Sequence, residues 1–198
     1  ITNIEDYTFK ECSNLKSITI PNRVTSIGSD AFYQCSALTS IQLSNSITSI
    51  GSFAFYRCYA LTSMQLPNSI TNIESGAFGS CENLESINIP TNIMTIEDST
   101  FAYCSKLNNI TIPSKVTIIG KSAFNGCSAL TSMQLSNTIT SIGNSAFRNC
   151  EILESINIPT SMATIEDYTF CYCTNLNNIN IPNNITKIGE RAFSYCSK

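Results

Sequence analysis

A period of 23 residues runs through the whole chain and constrains its fold more than any other feature. A row of isoleucines, a row of cysteines and a row of phenylalanines keep this step without insertion or deletion, the last at Phe9, Phe32, Phe55, Phe78, Phe101, Phe124, Phe147, Phe170 and Phe193. A unit this short has too few inward positions to close a core of its own, so successive units must stack. The sequence therefore predicts a single array over residues 1–198, with about eight to nine repeats of 23 residues.

A longer repeat is superimposed on the short one. The segment 82–104 is ENLESINIPTNIMTIEDSTFAYC, and it returns as EILESINIPTSMATIEDYTFCYC at 151–173. The two segments lie three repeats apart, which indicates that a block of three repeats was duplicated.

Within one unit, the apolar residues predict a short strand. Leu61, Met64 and Leu66 form the pattern LxxMxL, in which the last two residues share one face of an extended strand. Pro67 has no N–H for a ladder, so the strand should end near it. All six prolines of the chain occupy this position in their repeats. Parallel strands from successive units would then form one sheet with a spacing of ~4.8 Å.

The return limb of the unit is predicted to be rich in turns. Phe55, Cys58 and Leu61 are spaced by three, which favours a helical or 3₁₀ turn. The residue after the recurring isoleucine is Gly in five repeats and Glu in four, and Glu tolerates a positive φ badly, so we expect ordinary dihedral angles there. The predicted fold is a repeat solenoid. It is a right-handed coil with one parallel β-sheet face and a turn- and 3₁₀-rich opposite face.

Composition excludes several classes of function. Only 13% of the residues are charged and the net charge is −3, so the chain lacks the electrostatic footprint of a protein that binds nucleic acid or an anionic membrane. No apolar run approaches the ~20 residues that span a bilayer. The chain has no histidine, which removes Ser–His and Cys–His nucleophile pairs. We therefore expect no enzyme activity, no cofactor and no membrane insertion by this segment.

The ends of the chain fall inside a repeat, and its first residues do not resemble a signal peptide. We therefore expect a segment of a longer protein, whose localisation signals and end caps lie outside these residues. Its uncapped end repeats would be free to make end-to-end contacts.

Nine of the ten cysteines stand in one row, at Cys12, Cys35, Cys58, Cys81, Cys104, Cys127, Cys150, Cys173 and Cys196. Each lies between two apolar positions of its unit, so we interpret it as a buried hydrophobe with a weak S–H donor. Identical side chains stacked in parallel do not easily adopt the dihedral angle of a disulfide. Cys171 lies outside the row, and we expect it to be more exposed than the others and the thiol to test with a labelling reagent. A redox pair of Cys171 with Cys173 is the alternative.

Neither the cysteines nor the acidic residues predict a metal site. Zinc needs four clustered N or S ligands, whereas each unit supplies one thiol and no histidine. The acidic pairs at 5–6, 97–98 and 166–167 are three or four repeats apart, which is ~14–19 Å along the stack. Because calcium ligands must lie within ~2.6 Å of one ion, we interpret these pairs as solvated surface.

The outward positions of the strands form two parallel rows of uncharged polar side chains. Solenoids commonly bind partners along an extended face, so these rows are candidate contacts for a protein or a glycan. Side-chain ladders that only stabilise the sheet are the alternative. The candidate binding residues are Ser40, Gln42, Ser63, Gln65, Ser86, Asn88, Asn109, Thr111, Ser132, Gln134, Ser155, Asn157, Asn178 and Asn180.

Two further features concern the surface. Asn109-Ile-Thr111 and Asn184-Ile-Thr186 match the N-glycosylation triplet, and Asn184 is the better acceptor because it follows the strand, whereas Asn109 lies within it. Tyrosines recur on the predicted turn, where they would stack to anchor a partner or shield the core. They are Tyr33, Tyr56, Tyr103, Tyr172 and Tyr195.

These features together resemble the BspA-like leucine-rich repeats. The family pattern LxxIxIPxxVTxIGxxAFxxCxxL is matched by LKSITIPNRVTSIGSDAFYQCSAL at 15–38, and the likeness extends over the whole chain. Members are typically surface or secreted proteins of mucosal bacteria and parasitic protists, and are implicated in adhesion to host proteins or other cells. The resemblance implies a leucine-rich-repeat coil that serves as a non-catalytic interaction or adhesion module at the cell surface or outside the cell. An intracellular structural scaffold is the alternative, since reduced cysteines in every repeat suit a reducing compartment.

Overall fold

The computed structural model describes residues 1–198 and contains strands and turns but no helix. Its fifteen strands are two or three residues long and fall into two rows. The first row is the one predicted from the sequence: β2 (Ser17–Thr19), β4 (Ser40–Gln42), β6 (Ser63–Met64), β8 (Ser86–Ile87), β11 (Ser132–Met133) and β13 (Ser155–Ile156). The second row is β1 (Asn3–Ile4), β3 (Ser26–Ile27), β5 (Ser49–Ile50), β7 (Asn72–Ile73), β9 (Thr95–Ile96), β10 (Ile118–Ile119), β12 (Ser141–Ile142), β14 (Thr164–Ile165) and β15 (Lys187–Ile188).

The coils of the solenoid lie in register, as the 23-residue period predicts. Every strand pairing is parallel and joins equivalent residues of neighbouring coils, such as Ser17 with Ser40 and Ile27 with Ile50. The recurring phenylalanines stack face to face, with neighbouring ring centroids 5.0 Å apart at the closest pair and 5.7 Å at the widest. Equivalent side chains therefore form continuous rows along the axis.

The prediction of a single sheet is wrong, because the structure has two rows of paired strands. The longest continuous sheet, in the order β1-β3-β5-β7, belongs to the second row. Threonines beside this row add to its ladder, and Thr48 Oγ1 donates to the backbone oxygen of Thr25 at 3.1 Å. A strand of two residues is too short to show an alternating pattern, so the apolar spacing alone does not reveal this row.

Breaks in the first row divide it into one block of two coils, formed by β2 and β4, and two blocks of three coils. No pairing joins β4 to β6, or the coil of Asn109 to β11. Between these breaks, β6 pairs with β8, and Ser86 of β8 is bridged to Asn109. The same pattern returns when β11 pairs with β13 and Ser155 is bridged to Asn178. The duplication seen in the sequence thus corresponds to a repeated three-coil platform.

The return limb consists of consecutive tight turns, and the expected 3₁₀ turn is not formed. In each coil two residues have a positive φ, as at Tyr7 and Glu11, both with φ of 60°. The Cys12 N–H bonds to the Phe9 oxygen at 3.1 Å, which places Glu11 third in a four-residue turn. A positive φ at this place is what a type II turn requires, whereas a 3₁₀-helix keeps φ negative throughout. The spacing of three therefore reflects a chain of turns.

Bonds between coils hold these turns in place. Alternate amides donate to the following coil, as Phe9 N does to Ala31 O and Glu11 N to Tyr33 O, both at 2.7 Å. Each non-glycine residue with a positive φ costs about 1–2 kcal/mol, and these bonds help to offset that cost. The glycine after the isoleucine has no positive φ, in agreement with the prediction. Its role is close packing, because a Cβ on Gly28 would lie 2.5 Å from Asp6 Oδ1.

One core extends through all coils and contains 53 buried residues. The phenylalanines from Phe32 to Phe170 and the leucines from Leu38 to Leu153 form its centre. Phe9 and Phe193, in the first and last coils of the chain, are only half-buried. The core thus holds both rows of strands in place. The polar side chains of the first row lie outside the core and are the main feature of one face.

Candidate binding surface

The first row of strands presents the predicted binding residues along one side of the molecule. Ten of the fourteen are exposed: Ser40, Gln42, Ser63, Gln65, Asn109, Thr111, Ser132, Gln134, Asn178 and Asn180. The other four are half-buried: Ser86, Asn88, Ser155 and Asn157. Although these fourteen side chains share the same two rows, they differ in burial and in hydrogen bonding.

Two asparagines of this face are used inside the protein. The Leu66 N–H donates to Asn88 Oδ1 at 2.7 Å, and Asn88 Nδ2 donates to Leu66 O at 2.8 Å. Asn157 makes the same pair of bonds with Leu135, at 2.7 and 2.8 Å. Each side chain replaces a rung of the backbone ladder, so Asn88 and Asn157 support the platforms and their amides are not free for a ligand.

We expect the Asn88→Ala substitution to destabilise the protein by about 1–3 kcal/mol, because it leaves the half-enclosed amide and carbonyl of Leu66 without partners. Urea unfolding followed by circular dichroism measures the change. Gln65→Ala is the matched control, since Gln65 is an exposed amide of the neighbouring coil, and its effect should stay within about 0.5 kcal/mol. Equal losses in the two variants would contradict the bridging role.

A shallow groove lies on the first platform and has a volume of about 340 Å³. Beside Ile87, Ile89 and Ile110, the polar side chains that line it are Gln65, Ser86, Asn88, Thr91, Asn109 and Thr111. All of them are uncharged, so the groove offers hydrogen-bond donors and acceptors without a fixed charge. Such a surface suits a neutral polar ligand.

The row of cysteines points into the core, as predicted. The seven from Cys35 to Cys173 have no exposed surface, and all ten cysteines of the chain are free thiols. Each thiol from Cys35 onward donates to the phenylalanine oxygen of the preceding coil, as Cys104 Sγ does to Phe78 O at 3.1 Å. Burial raises the pKa of the Cys81 thiol to about 12, and burial with the neighbouring thiols raises the pKa of Cys104 well above its ordinary value.

The prediction that Cys171 is more exposed than the row is wrong, because only 2% of its surface is accessible. Small residues in the same row, Ala102 among them, are buried in the same way. Arg148 of the preceding coil lies over the rings of Tyr168 and Tyr172, which flank this thiol. Burial raises the pKa of Cys171, so it does not have the character of a reactive thiol.

We expect iodoacetamide at pH 8 to label Cys12 of the native chain, because Cys12 is the exposed thiol of the row. Cys171 and the seven buried thiols of the row should react only after unfolding, and Cys196, which is half-buried, should react slowly. Peptide mass spectrometry of samples alkylated before and after denaturation measures each site. Rapid labelling of Cys171 in the folded chain would show that its turn is open.

A second candidate surface is the turn edge, formed by the residues with positive φ and their neighbours. Tyrosines stack there one coil apart, with centroids 5.3 Å apart for Tyr33–Tyr56 and 4.3 Å for Tyr172–Tyr195. The first pair is half-buried and shields the bend, whereas the second is exposed. The stacking predicted from the sequence is therefore present, but only the Tyr172–Tyr195 pair is exposed to a partner.

The predicted glycosylation site is occupied by internal bonds. Asn184 is exposed, but its Nδ2 donates to the oxygens of Thr160 and Met162 in the preceding coil. This nitrogen is the atom that would carry a glycan, so attachment would cost both bonds. Asn109 lies at a bridge of the first row, as expected.

The acidic pairs have a structural role beyond a solvated surface. Asp6, Asp98 and Asp167 each accept, through Oδ1, the backbone N–H of a residue in the next coil at 2.7 Å. They cap the turn that follows and hold neighbouring coils together. The structure shows no group of three or more side chains of the metal-binding types.

In-register coils, LxxIxIP strands and a polar strand face define a leucine-rich-repeat solenoid. The model of the BspA type leucine rich repeat region matches residues 2–117 and 94–198 with six copies, and the chain belongs to this family. No match is found among curated proteins.

Solved structures of bacterial leucine-rich-repeat proteins resemble this one. A leucine rich cell surface protein from Faecalibacterium prausnitzii is 26% identical with a TM-score of 0.59, and the match covers 99% of this chain and 75% of that one. The T. pallidum leucine rich repeat protein is 26% identical with a TM-score of 0.65, over 98% and 81% of the two chains. The pneumococcal vaccine antigen PcpA shares the fold at 24% identity with a TM-score of 0.68, over 96% of this chain and 50% of that one. The molecule offers no helix with the length and apolar character that a membrane crossing needs.

Proposed function

We propose that this chain is a non-catalytic interaction module, which serves adhesion as part of a surface or secreted leucine-rich-repeat protein. The observation that carries the proposal is the exposed first row of strands, whose amides and hydroxyls are free except at Asn88 and Asn157. The array presents these groups at a constant spacing along a rigid body, which suits an extended partner. The cell-surface relative from Faecalibacterium prausnitzii supports a location outside the cell.

Binding of the purified chain to immobilised matrix proteins, mucin glycans and epithelial cells tests this proposal. Ser63→Lys with Ser132→Lys places two charges on the first row and should abolish binding to the partner found. Asn72→Lys with Ser141→Lys is the matched control, because it places the same charges on exposed positions of the second row. Circular dichroism verifies the fold of both variants. A chain that binds none of these partners, or loses binding equally in both variants, would overturn the proposal.

An intracellular scaffold is the second candidate function, and the ten free thiols favour it. Its partners would be other proteins of a larger assembly. Cell fractionation of the parent organism with an antibody against this chain separates the two functions, since surface labelling of intact cells is expected only for the adhesion module.

A further inference from the structure

The two three-coil platforms of the first row are equivalent in structure and in sequence. The first consists of β6, β8 and the coil of Asn109, and the second of β11, β13 and the coil of Asn178. Each contains one asparagine that bridges to a leucine backbone, and each is separated from the preceding coil by a break in the ladder. The duplicated block thus builds the same platform twice on one face.

The free polar groups of the two platforms also correspond. The first exposes Ser63, Gln65, Asn109 and Thr111, and the second exposes Ser132, Gln134, Asn178 and Asn180. Both therefore place a glutamine and an asparagine amide on either side of the bridging asparagine. The pattern differs from that of the first two coils, where no asparagine bridge is formed.

The chemistry of the platforms favours one class of ligand. None of these eight side chains is charged, so they hold no counterpart for a phosphate, a sulfate or an acidic peptide. The isoleucines beneath them, such as Ile87 and Ile156, are buried and expose little apolar surface to an anchoring side chain. Amides and hydroxyls both donate and accept, and so do the hydroxyls of a neutral sugar.

We propose that the two platforms are equivalent subsites for one neutral polysaccharide chain, which lies along the axis of the solenoid. This inference rests on the interaction function proposed above and names its ligand class. The centres of the subsites are separated by three coil steps, measured by phenylalanine stacking distances of 5.7, 5.5 and 5.4 Å. An oligosaccharide of a few sugars fills one subsite, whereas a longer chain reaches both and gains affinity from the second, intramolecular contact.

Titration calorimetry with neutral cello- and manno-oligosaccharides of graded length, together with long soluble glucan and mannan chains, tests this inference. For at least one of the two series, we expect two short oligosaccharides per protein. A chain that spans both subsites should bind with one-to-one stoichiometry and about 100-fold more tightly. Gln65→Ala with Asn109→Ala removes the first subsite, and Gln134→Ala with Asn178→Ala removes the second.

Either pair of substitutions should reduce the stoichiometry for short oligosaccharides to one and remove the gain in affinity of the long chain. Asn72→Ala with Ser141→Ala, on the second row, is the matched control and should change neither quantity. Absence of binding to every neutral chain, or a long-chain affinity equal to the short one, would overturn the inference. If a protein partner still bound through the first row in that case, the interaction function would stand and only the ligand class would fall.

Discussion

The Phe101→Ala substitution is expected to destabilise the chain by about 3–5 kcal/mol, because it removes a fully buried ring from the middle of the core. Its ring lies between Phe78 and Phe124, at centroid distances of 5.7 and 5.5 Å, so the loss also removes two stacking contacts. Neighbouring coils are held in place by their own rows and cannot collapse into the space. Urea unfolding followed by circular dichroism measures the free energy change.

Phe53→Ala is the matched control for this prediction, since it removes the same side chain from the turn edge. Phe53 is 40% exposed and packs against Tyr56 edge-on at 5.6 Å. Its loss should cost about 1 kcal/mol. If both variants lost the same stability, the row of phenylalanines would not be the centre of the core.

The free energy of unfolding is expected to fall as the pH rises above 9, by up to about 1.4 kcal/mol per pH unit for each thiol whose pKa is raised in the folded chain. Burial raises the pKa above the ordinary value of 9.0 for Cys35, Cys58, Cys81, Cys104, Cys127, Cys150 and Cys196. A raised pKa means that the folded chain holds the protons more firmly than the unfolded chain. The contribution is therefore complete below pH 9 and is lost as the pH rises toward the pKa of the folded state.

Urea unfolding at several pH values from 8 to 10, in the presence of a reductant, measures this slope. Cys104→Ser keeps a donor for the Phe78 oxygen but does not titrate in this range, so it should reduce the slope by up to about 1.4 kcal/mol per pH unit. A stability that is flat across this range would show that the thiols have access to water in the folded state.

The sequence predicts those parts of the fold that depend on side-chain rows. The 23-residue step places Phe32 on Phe55 and Ser17 beside Ser40, and both contacts are present. It does not predict the second row of strands, because two residues carry no alternation. It also suggests a 3₁₀ turn where the chain forms type II turns, since both bring every third side chain to the same side.

For the candidate binding surface, the sequence predicts which side chains face outward but not which of them form internal hydrogen bonds. Alternation along the strand correctly places Gln65 and Asn109 outward. It places Asn88 outward as well, but this side chain turns back to Leu66 because the ladder needs a partner there. The sequence predicts an exposed Cys171 because it lies outside the row of core-facing cysteines, yet its small side chain is buried. Such differences depend on side-chain length and on local hydrogen bonding, and the 23-residue period carries no information about either.

The two positive-φ positions of each coil bear on how such a protein diversifies. They are occupied by aromatic, acidic, basic, amide and hydroxyl residues as well as by Gly76 and Gly126, and φ stays between 51° and 76° at all of them. The bend is imposed by the backbone bonds to adjoining coils, so it is indifferent to the side chain that it carries. The residues of this edge can therefore be substituted one by one during evolution while the fold is retained. Gene duplication adds coils without changing the fold of the existing ones.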